Sequence, residues 1–469
     1  MAAIITEKFR LHNAEQFQES FGEAAPSTYY LFIGKSSPFT TSTSGGNDNA
    51  PPTPSDDITT EFYKWDSMLA AKLISSSDVS FAIPRRNWAN TTTYDMYEHD
   101  ISSTNTTTSG ASNLIDSTFY FMTTDFRVYK VLDNNGGVAY SGIEPTSEVT
   151  GPFELGGYTL QYMYKLTTSE VQKFVTSDFI PVSTDSAVSA AAVNGSIDVV
   201  RTVAGSGYTD GTYYSPIDGD GSNGIVKIVV ASGAIVKQGS AGTNMYAIGS
   251  GYTFANVDLT NVYSDTAVSS AANIGSGTAG AVQPIISPKG GHGKDAVHEL
   301  GAHFVMTNVK LEQNEGSDFT IANDFREVGI VKDPFNFGTT TVASSSTARQ
   351  SMKVTLNGAP TVAYEIDEKI TQSVTGAVGK VVEFDATNNI IYYHQEKYAN
   401  YGLAANGNVI AFSGTNVITG ATTNAVGTAS TYATPELQPD SGKVIYIENR
   451  RPISRASDQT EDIKIVVEF

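Results

Sequence analysis

Residues 380–395 read KVVEFDATNNIIYYHQ, and this stretch decides the class of the fold. Two runs rich in Val, Phe, Ile and Tyr flank the polar turn Asp-Ala-Thr-Asn-Asn. That is the composition of a β-hairpin. The neighbouring runs KVTLNGAPTVAYEI (353–366) and NVIAFSGTNVITG (408–420) alternate in the same way around Asn/Gly turns. Residues 352–434 are therefore expected to form a small antiparallel β domain. Working outward, FVMTNVKLEQ (304–313) alternates as a strand, and NDFREVGIVKDP (323–334) is a polar turn followed by another. Pro435 and Pro439 mark a linker. Residues 435–469 then give a strand, a basic turn (Arg450, Arg451, Arg455) and a closing strand in which Ile463, Ile465 and Val467 alternate.

Helical signals are few. Asn13 followed by Gln16 reads as a capping box, and Phe17 with Phe21 is an i, i+4 apolar pair, so the first twenty residues are expected to be helical. TTEFYKWDSMLAAKLI (59–74) places Phe62, Trp65, Leu69 and Leu73 at helical spacing and predicts a second helix. STYYLFIGK (27–35), DVSFAIP (78–84) and FYFMTTDFRVYKVLDNNGG (119–137) read as strands and turns. The expected class is mainly β with a few flanking helices (α+β). It is multi-domain, with antiparallel β-sandwich-like modules plus an inserted small all-β domain.

The insertion announces itself by composition. No glutamate occurs between Val171 and His298, and residues 183–287 carry only ten charged side chains. Within them GSGYT occurs at 205–209 and again at 249–253, which suggests paired short strands around Gly-x-Gly-Tyr turns. The expected organisation is 1–183, an N-terminal β-rich domain with two short helices; 184–287, the inserted Gly/Ser/Ala-rich module; 288–351, a return to the main body; 352–434, the antiparallel domain; and 435–469, C-terminal strands on the main body. DGDGSNG (218–224) has EF-hand spacing at Asp218, Asp220 and Ser222. It carries Asn223 and Val229 where that loop needs Gly and Glu, and so reads as a plain turn.

The totals exclude several classes. The 469 residues carry 29 Lys+Arg against 49 Asp+Glu, a formal charge of −20 that repels a phosphate backbone. No nucleic-acid partner is expected. Without cysteine there is no disulfide, thiolate metal site or thiol nucleophile. No run of about 18 apolar residues predicts a membrane span, and the amino terminus turns charged by residue 7 without a signal-peptide core. Three of the six histidines cluster in GGHGKDAVHELGAHF (290–304), where a zinc helix would need H-E-x-x-H. His298 and His303 are five apart, which turns their rings to different faces of a helix or a strand. A structural Gly-rich turn is expected at His292, His298 and His303, with no metal, no cofactor and no catalytic residue. No Gly-rich phosphate loop or nucleophile elbow is complete.

Nine blocks in order carry a resemblance: IITEKFRLHNAEQFQESFG, YYLFIGK, PPTPSD, FYFMTTDFRVYKVLDNNGG, GGYTLQYMYKL, FIPV, SPKGGHGKDAVHELGAHF, NDFREVGIVKDP and YIENRRPISRASDQTEDIKIVVEF. Together they resemble the baseplate wedge subunit family of T-even-like contractile-tailed phages, and especially its cyanophage and marine-phage members. They span both ends and most of the chain except about 184–287. The resemblance implies a structural, non-enzymatic virion protein of the tail baseplate, assembled in the host cytoplasm. It implies a homodimer that contacts other baseplate wedge proteins, and it makes the GGHG…ELG stretch a structural signature. In an acidic chain, Arg450, Arg451 and Arg455 are the candidates for contact with an acidic partner surface. The alternative readings are a receptor-binding or tail-fibre-like adhesin whose insertion binds host glycan, and a polysaccharide-degrading tail enzyme.

Overall fold

The computed structural model describes residues 5–24, 26–40, 45–397 and 401–469. Strands hold 38% of the residues and helices 11%, so the mainly β class with a few helices holds. The chain divides into two compact units. One is built from Met1–Glu15, Ser80–Met306 and Val466–Phe469; the other from Gln16–Val79 and Thr307–Ile465.

The second unit is organised by a five-stranded antiparallel sheet in the order Thr347–Arg349, Met68–Leu73, Tyr29–Gly34, Asp324–Lys332, Lys443–Ser454. Its centre is Tyr29–Gly34, buried along its whole length. Phe32 faces Gly329 in register, and a Cβ on Gly329 would lie 2.3 Å from the Phe32 ring. Glycine is therefore required there for the ring to lie flat on the strand. Tyr30, Phe32, Trp65, Met68, Val331 and Leu437 belong to one apolar cluster. The hairpin at 380–395 forms as read, with strands Val378–Asp385 and Ile390–His394. Its sheet closes on itself: six strands between Met352 and Ala433 make a barrel around Val354, Ile370, Val381, Ile391 and Ile418. Closure removes the exposed edges that an open sheet of this size would present.

Two helix readings need correction. The first helix spans Glu7–Glu19, so Asn13 lies inside it and caps nothing. Thr6 is at its start, with Oγ1 accepting from the Phe9 N–H at 3.3 Å. The second helix ends at Ser67, and Met68–Leu73 is a strand, so Leu69 and Leu73 are not on a helix face. Pairing with Tyr29–Gly34 on one side and Thr347–Arg349 on the other supplies hydrogen bonds that override the local helical pattern.

In the first unit, a four-stranded sheet orders Tyr120–Met122, Arg127–Asp133, Tyr158–Lys165 and Phe153–Leu155. A separate apolar cluster is drawn entirely from residues 197–286. The two GSGYT copies fold alike within it. Gly205 and Gly207 have φ of 60° and 81°, Gly249 and Gly251 of 60° and 79°, which only glycine adopts without strain. Each copy then buries its tyrosine against glycines. A Cβ on Gly277 would lie 2.3 Å from the Tyr208 ring, and one on Gly221 2.5 Å from that of Tyr252. The Tyr208 hydroxyl accepts from Gly280 N–H, and the Tyr252 hydroxyl from Gly224 N–H, both at 3.1 Å. Asp220, part of the calcium-like stretch, instead accepts from the N–H groups of Thr253 and Phe254 at 2.8 and 3.2 Å. Replacing Tyr252 by Ala leaves a ring-sized void over Gly221 and Gly224. We expect a loss of about 3–5 kcal/mol in denaturant unfolding, with proteolytic cleavage opening inside residues 197–286 before the remainder of the chain.

Candidate functional site

The histidine stretch is a tight turn entering the short helix Ala296–Leu300. Gly290, Gly291 and Gly293 have φ of 92°, 104° and 83°, and a Cβ on Gly291 would lie 2.5 Å from the Val193 nitrogen. Asp295 caps the helix by accepting from His298 N–H, and Gly301, left-handed at φ 69°, ends it. The three histidines have three separate environments. His298 is exposed and 2.7 Å from Asp295 Oδ2. His303 is buried, with Nδ1 2.9 Å from the Gly301 carbonyl. His292 is buried edge-on to Tyr97 at 5.1 Å, and neither ring nitrogen has a hydrogen-bond partner among the described residues.

What holds the turn is the ion pair between Lys130, on strand Arg127–Asp133, and Glu299. Glu299 also accepts from Gly293 N–H at 3.0 Å and Asp295 N–H at 3.2 Å. One carboxylate thus ties both sides of the turn to the sheet. Burial pulls the Lys130 ammonium below its usual range, and Glu299 opposes that shift. Lys130, Glu299 and His292 are 0%, 6% and 6% exposed, out of a substrate's reach. Among the described residues no group of three or more His, Cys, Asp or Glu is placed to hold a metal.

The basic turn separates into two environments. Arg450 and Arg451 lie exposed on Lys443–Ser454, the outer strand of the five-stranded sheet. Arg450 Nε donates to Glu448 at 2.9 Å, and Arg451 Nε to the Asn49 carbonyl at 3.1 Å. Arg455 is buried instead. It donates to Glu461 and to the carbonyls of Thr320 and Gln313 at 3.2, 2.8 and 2.6 Å, with its guanidinium over the Phe319 ring. Those donors tie loops together and leave Arg455 nothing to offer a partner.

A cavity of about 770 Å³ in the second unit collects side chains that no sequence spacing had linked. It opens at the end of Tyr29–Gly34. Gly34 pairs with Glu327, and the register to Met68 shifts there. Lys35 follows in a left-handed conformation, φ 58°. The helix Ile58–Ser67, capped by Asp57, adds Tyr63 and Lys64, and the barrel strand Val378–Asp385 adds Lys380. Lys64 is paired with buried Glu327, and Glu396 lies 2.8 Å from His394 Nε2. Lys35 donates only to Ser37 Oγ at 3.2 Å, and among the described residues neither Lys35 nor Lys380 has an ion-pair partner. Burial draws the Lys35 ammonium below its usual range; Glu327 and Glu396 oppose this, while Lys380 and Lys64 add to it.

This arrangement offers charged, shape-specific contact surface. A family model described as "Phage-Gp8: Bacteriophage T4, Gp8" matches residues 3–146 and 379–469, half of the chain. The chain belongs to this family of phage baseplate wedge subunits. It is therefore a structural protein of a phage virion, with its place in the tail baseplate and in association with other baseplate proteins. A search of curated proteins finds no match. Lys35, Lys64, Lys380 and Glu396 fall within the matched residues, as do Arg450 and Arg451. The histidine turn and the 197–286 cluster fall between them, so the turn is explained by its own geometry.

His292 gives a pH test. Burial, reinforced by Lys130, holds its pKa well below the ordinary value. The unfolded chain then binds a proton that the fold refuses. The stability tied to neutral His292 is complete above about pH 6.5 and falls by about 1.4 kcal/mol per unit below it. The His292→Gln protein lacks that slope. Its deficit in melting temperature against the wild type should shrink between pH 7 and 5. A constant deficit would show that the imidazole is protonated inside the fold.

Proposed function

We propose that the chain acts purely by assembly, without catalysis, as a homodimer that joins neighbouring wedge proteins in the cytoplasm of the infected cell. Family membership carries this reading. The chemistry supports it, because several buried acid and base groups are engaged with one another, as in Lys130–Glu299, Lys64–Glu327 and His394–Glu396. The charge of −20 argues against a nucleic-acid partner. Among the described residues no helix is long and apolar enough to cross a membrane. Arg450 and Arg451, on an outer strand, are the contacts we assign to an acidic partner face. An obligate homodimer buries more than roughly 2,000 Å². Light scattering at micromolar concentration should accordingly give twice the 49.9 kDa chain mass; a monomer or a trimer would count against the wedge dimer.

One observation favours a second role for residues 184–287. Tyr214 and Tyr246 pack edge to face at 5.5 Å across the strand Ser222–Ala231, with which both their strands pair, and Tyr246 and Phe254 are exposed. Aromatic faces of that kind stack on sugars, which is the adhesin alternative confined to the insertion. Val203 pairs with Ala281, so a two-residue Asn-Gly turn can replace residues 204–280 and close Ile197–Val203 on Ala281–Ile286 as a hairpin. With newly exposed Ile197, Val200, Val282 and Ile286 made polar, the shortened chain should remain soluble and dimeric. Aggregation would show that the insertion completes the main body. Loss of host-cell attachment by phage carrying the deletion, with intact tails, would favour the adhesin role.

A further inference from the structure

We propose that the cavity at the end of Tyr29–Gly34 is the seat of an acidic segment of a neighbouring protein, one of whose carboxylates is shared by Lys35 and Lys380. Three ammonium groups line the cavity, from Lys35, Lys64 and Lys380, against two carboxylates, Glu327 and Glu396. Lys64 has Glu327, and Glu396 has His394. Lys380 lies close enough to lower the affinity of Lys35 for a proton, and among the described residues neither cation forms a direct ion pair, Asp367 acting on both only at longer range. Counted over the lining side chains alone, three ammonium groups against two carboxylates leave one positive charge for an incoming carboxylate to meet. Because Lys35 is partly desolvated already, an anion there would meet a charge that water screens poorly.

Two observations point to a peptide. The volume of about 770 Å³ is in the range of sites that enclose a drug-sized ligand, roughly 300–1,000 Å³. That is far more than one ion needs. Pro38, Phe39, Pro54 and Tyr63 give the remaining wall an apolar surface on which an extended chain can lie. A free phosphate dianion fits less well, because Glu327 and Glu396 would repel it and no arginine lines the site to grip it in a fork. In a chain of charge −20, a concavity with excess positive charge is the place where an acidic segment meets attraction. The inference rests on the assembly reading only for the identity of the neighbour.

The test is fluorescence anisotropy of the full chain with a labelled, capped peptide of alternating Glu and Ala. Its Gln/Ala counterpart and inorganic phosphate serve as controls. The Glu peptide should bind and the Gln peptide should not, and Lys380→Gln should weaken binding about tenfold or more. Lys35 lies in a left-handed turn, so Lys35→Gln is read only alongside an unchanged thermal melt, and Lys380→Glu serves as the independent second variant. Equal binding of both peptides, or indifference to Lys380→Gln and Lys380→Glu, overturns the proposal. So does phosphate that binds as tightly and displaces the peptide, since the site would then be one for small anions. Absence of binding into the millimolar range overturns it as well. A chain that dimerises and enters the baseplate yet ignores the peptide refutes this pocket alone. A chain that binds the peptide yet stays monomeric refutes the dimer alone.

Discussion

A lysine ammonium taken out of water must find a carboxylate, and each compact unit is arranged around one such pair. In the first, Lys130 is fully buried and Glu299 answers it; in the second, Glu327 answers Lys64. Removing either partner would strand a charge in a poorly polarisable interior, a change that costs about 3–5 kcal/mol. Both pairs join a strand to an element far away in sequence. Glu299 reaches Lys130 across 169 residues, and Lys64 reaches Glu327 across 263. Apolar burial could be met by many registers of these β segments, whereas the pairs are satisfied in one. We therefore see them as selecting the arrangement more than as adding net stability.

That view explains the histidine stretch without chemistry. Gly290, Gly291 and Gly293 are there because the backbone turns through conformations closed to side chains while passing close to Val193 and Val188. Glu299 is there because the turn's N–H groups and Lys130 need one shared acceptor. His292 fills space beside Tyr97 in the neutral form. A cluster of histidines in sequence is dispersed by the fold into one exposed, one carbonyl-bonded and one buried, unbonded setting.

Strands were legible where alternation is local. The runs at 304–313, 323–334 and 380–395 formed where their patterns placed them. The errors came where local and non-local preferences conflict: Leu69 and Leu73 satisfy a helical spacing, but Met68–Leu73 is claimed by two sheet neighbours. Barrel closure was illegible, because it depends on Met352–Leu356 pairing with both Ile390–His394 and Val426–Ala433. The cavity was illegible for the same reason. Lys35, Lys64, Glu327 and Lys380 are ordinary surface residues in sequence, and only the sheet and barrel bring them together. Arg455 looked like Arg450 and Arg451 in the sequence. Its separation from them comes from the chain folding back so that Glu461, Gln313 and Thr320 surround it.

The insertion shows how a charge-poor, glycine-rich segment can still make a core. Large aliphatic side chains normally fill the space between strands, but here two tyrosines lie directly on backbone that carries no Cβ. Contact between a ring and a peptide plane buries area as effectively as contact between side chains, and each hydroxyl satisfies a backbone N–H that would otherwise be stranded. The cost falls on conformational freedom, since glycine loses more on folding than any other residue. The duplicated GSGYT turn offsets that cost twice by fixing two left-handed glycines per tyrosine in the same geometry. A segment built this way draws its cluster from residues 197–286 alone, which lie outside the residues matched to the family. It needs no buried ion pair to choose its register, and this is why its sequence can do almost without charge while the flanking chain cannot.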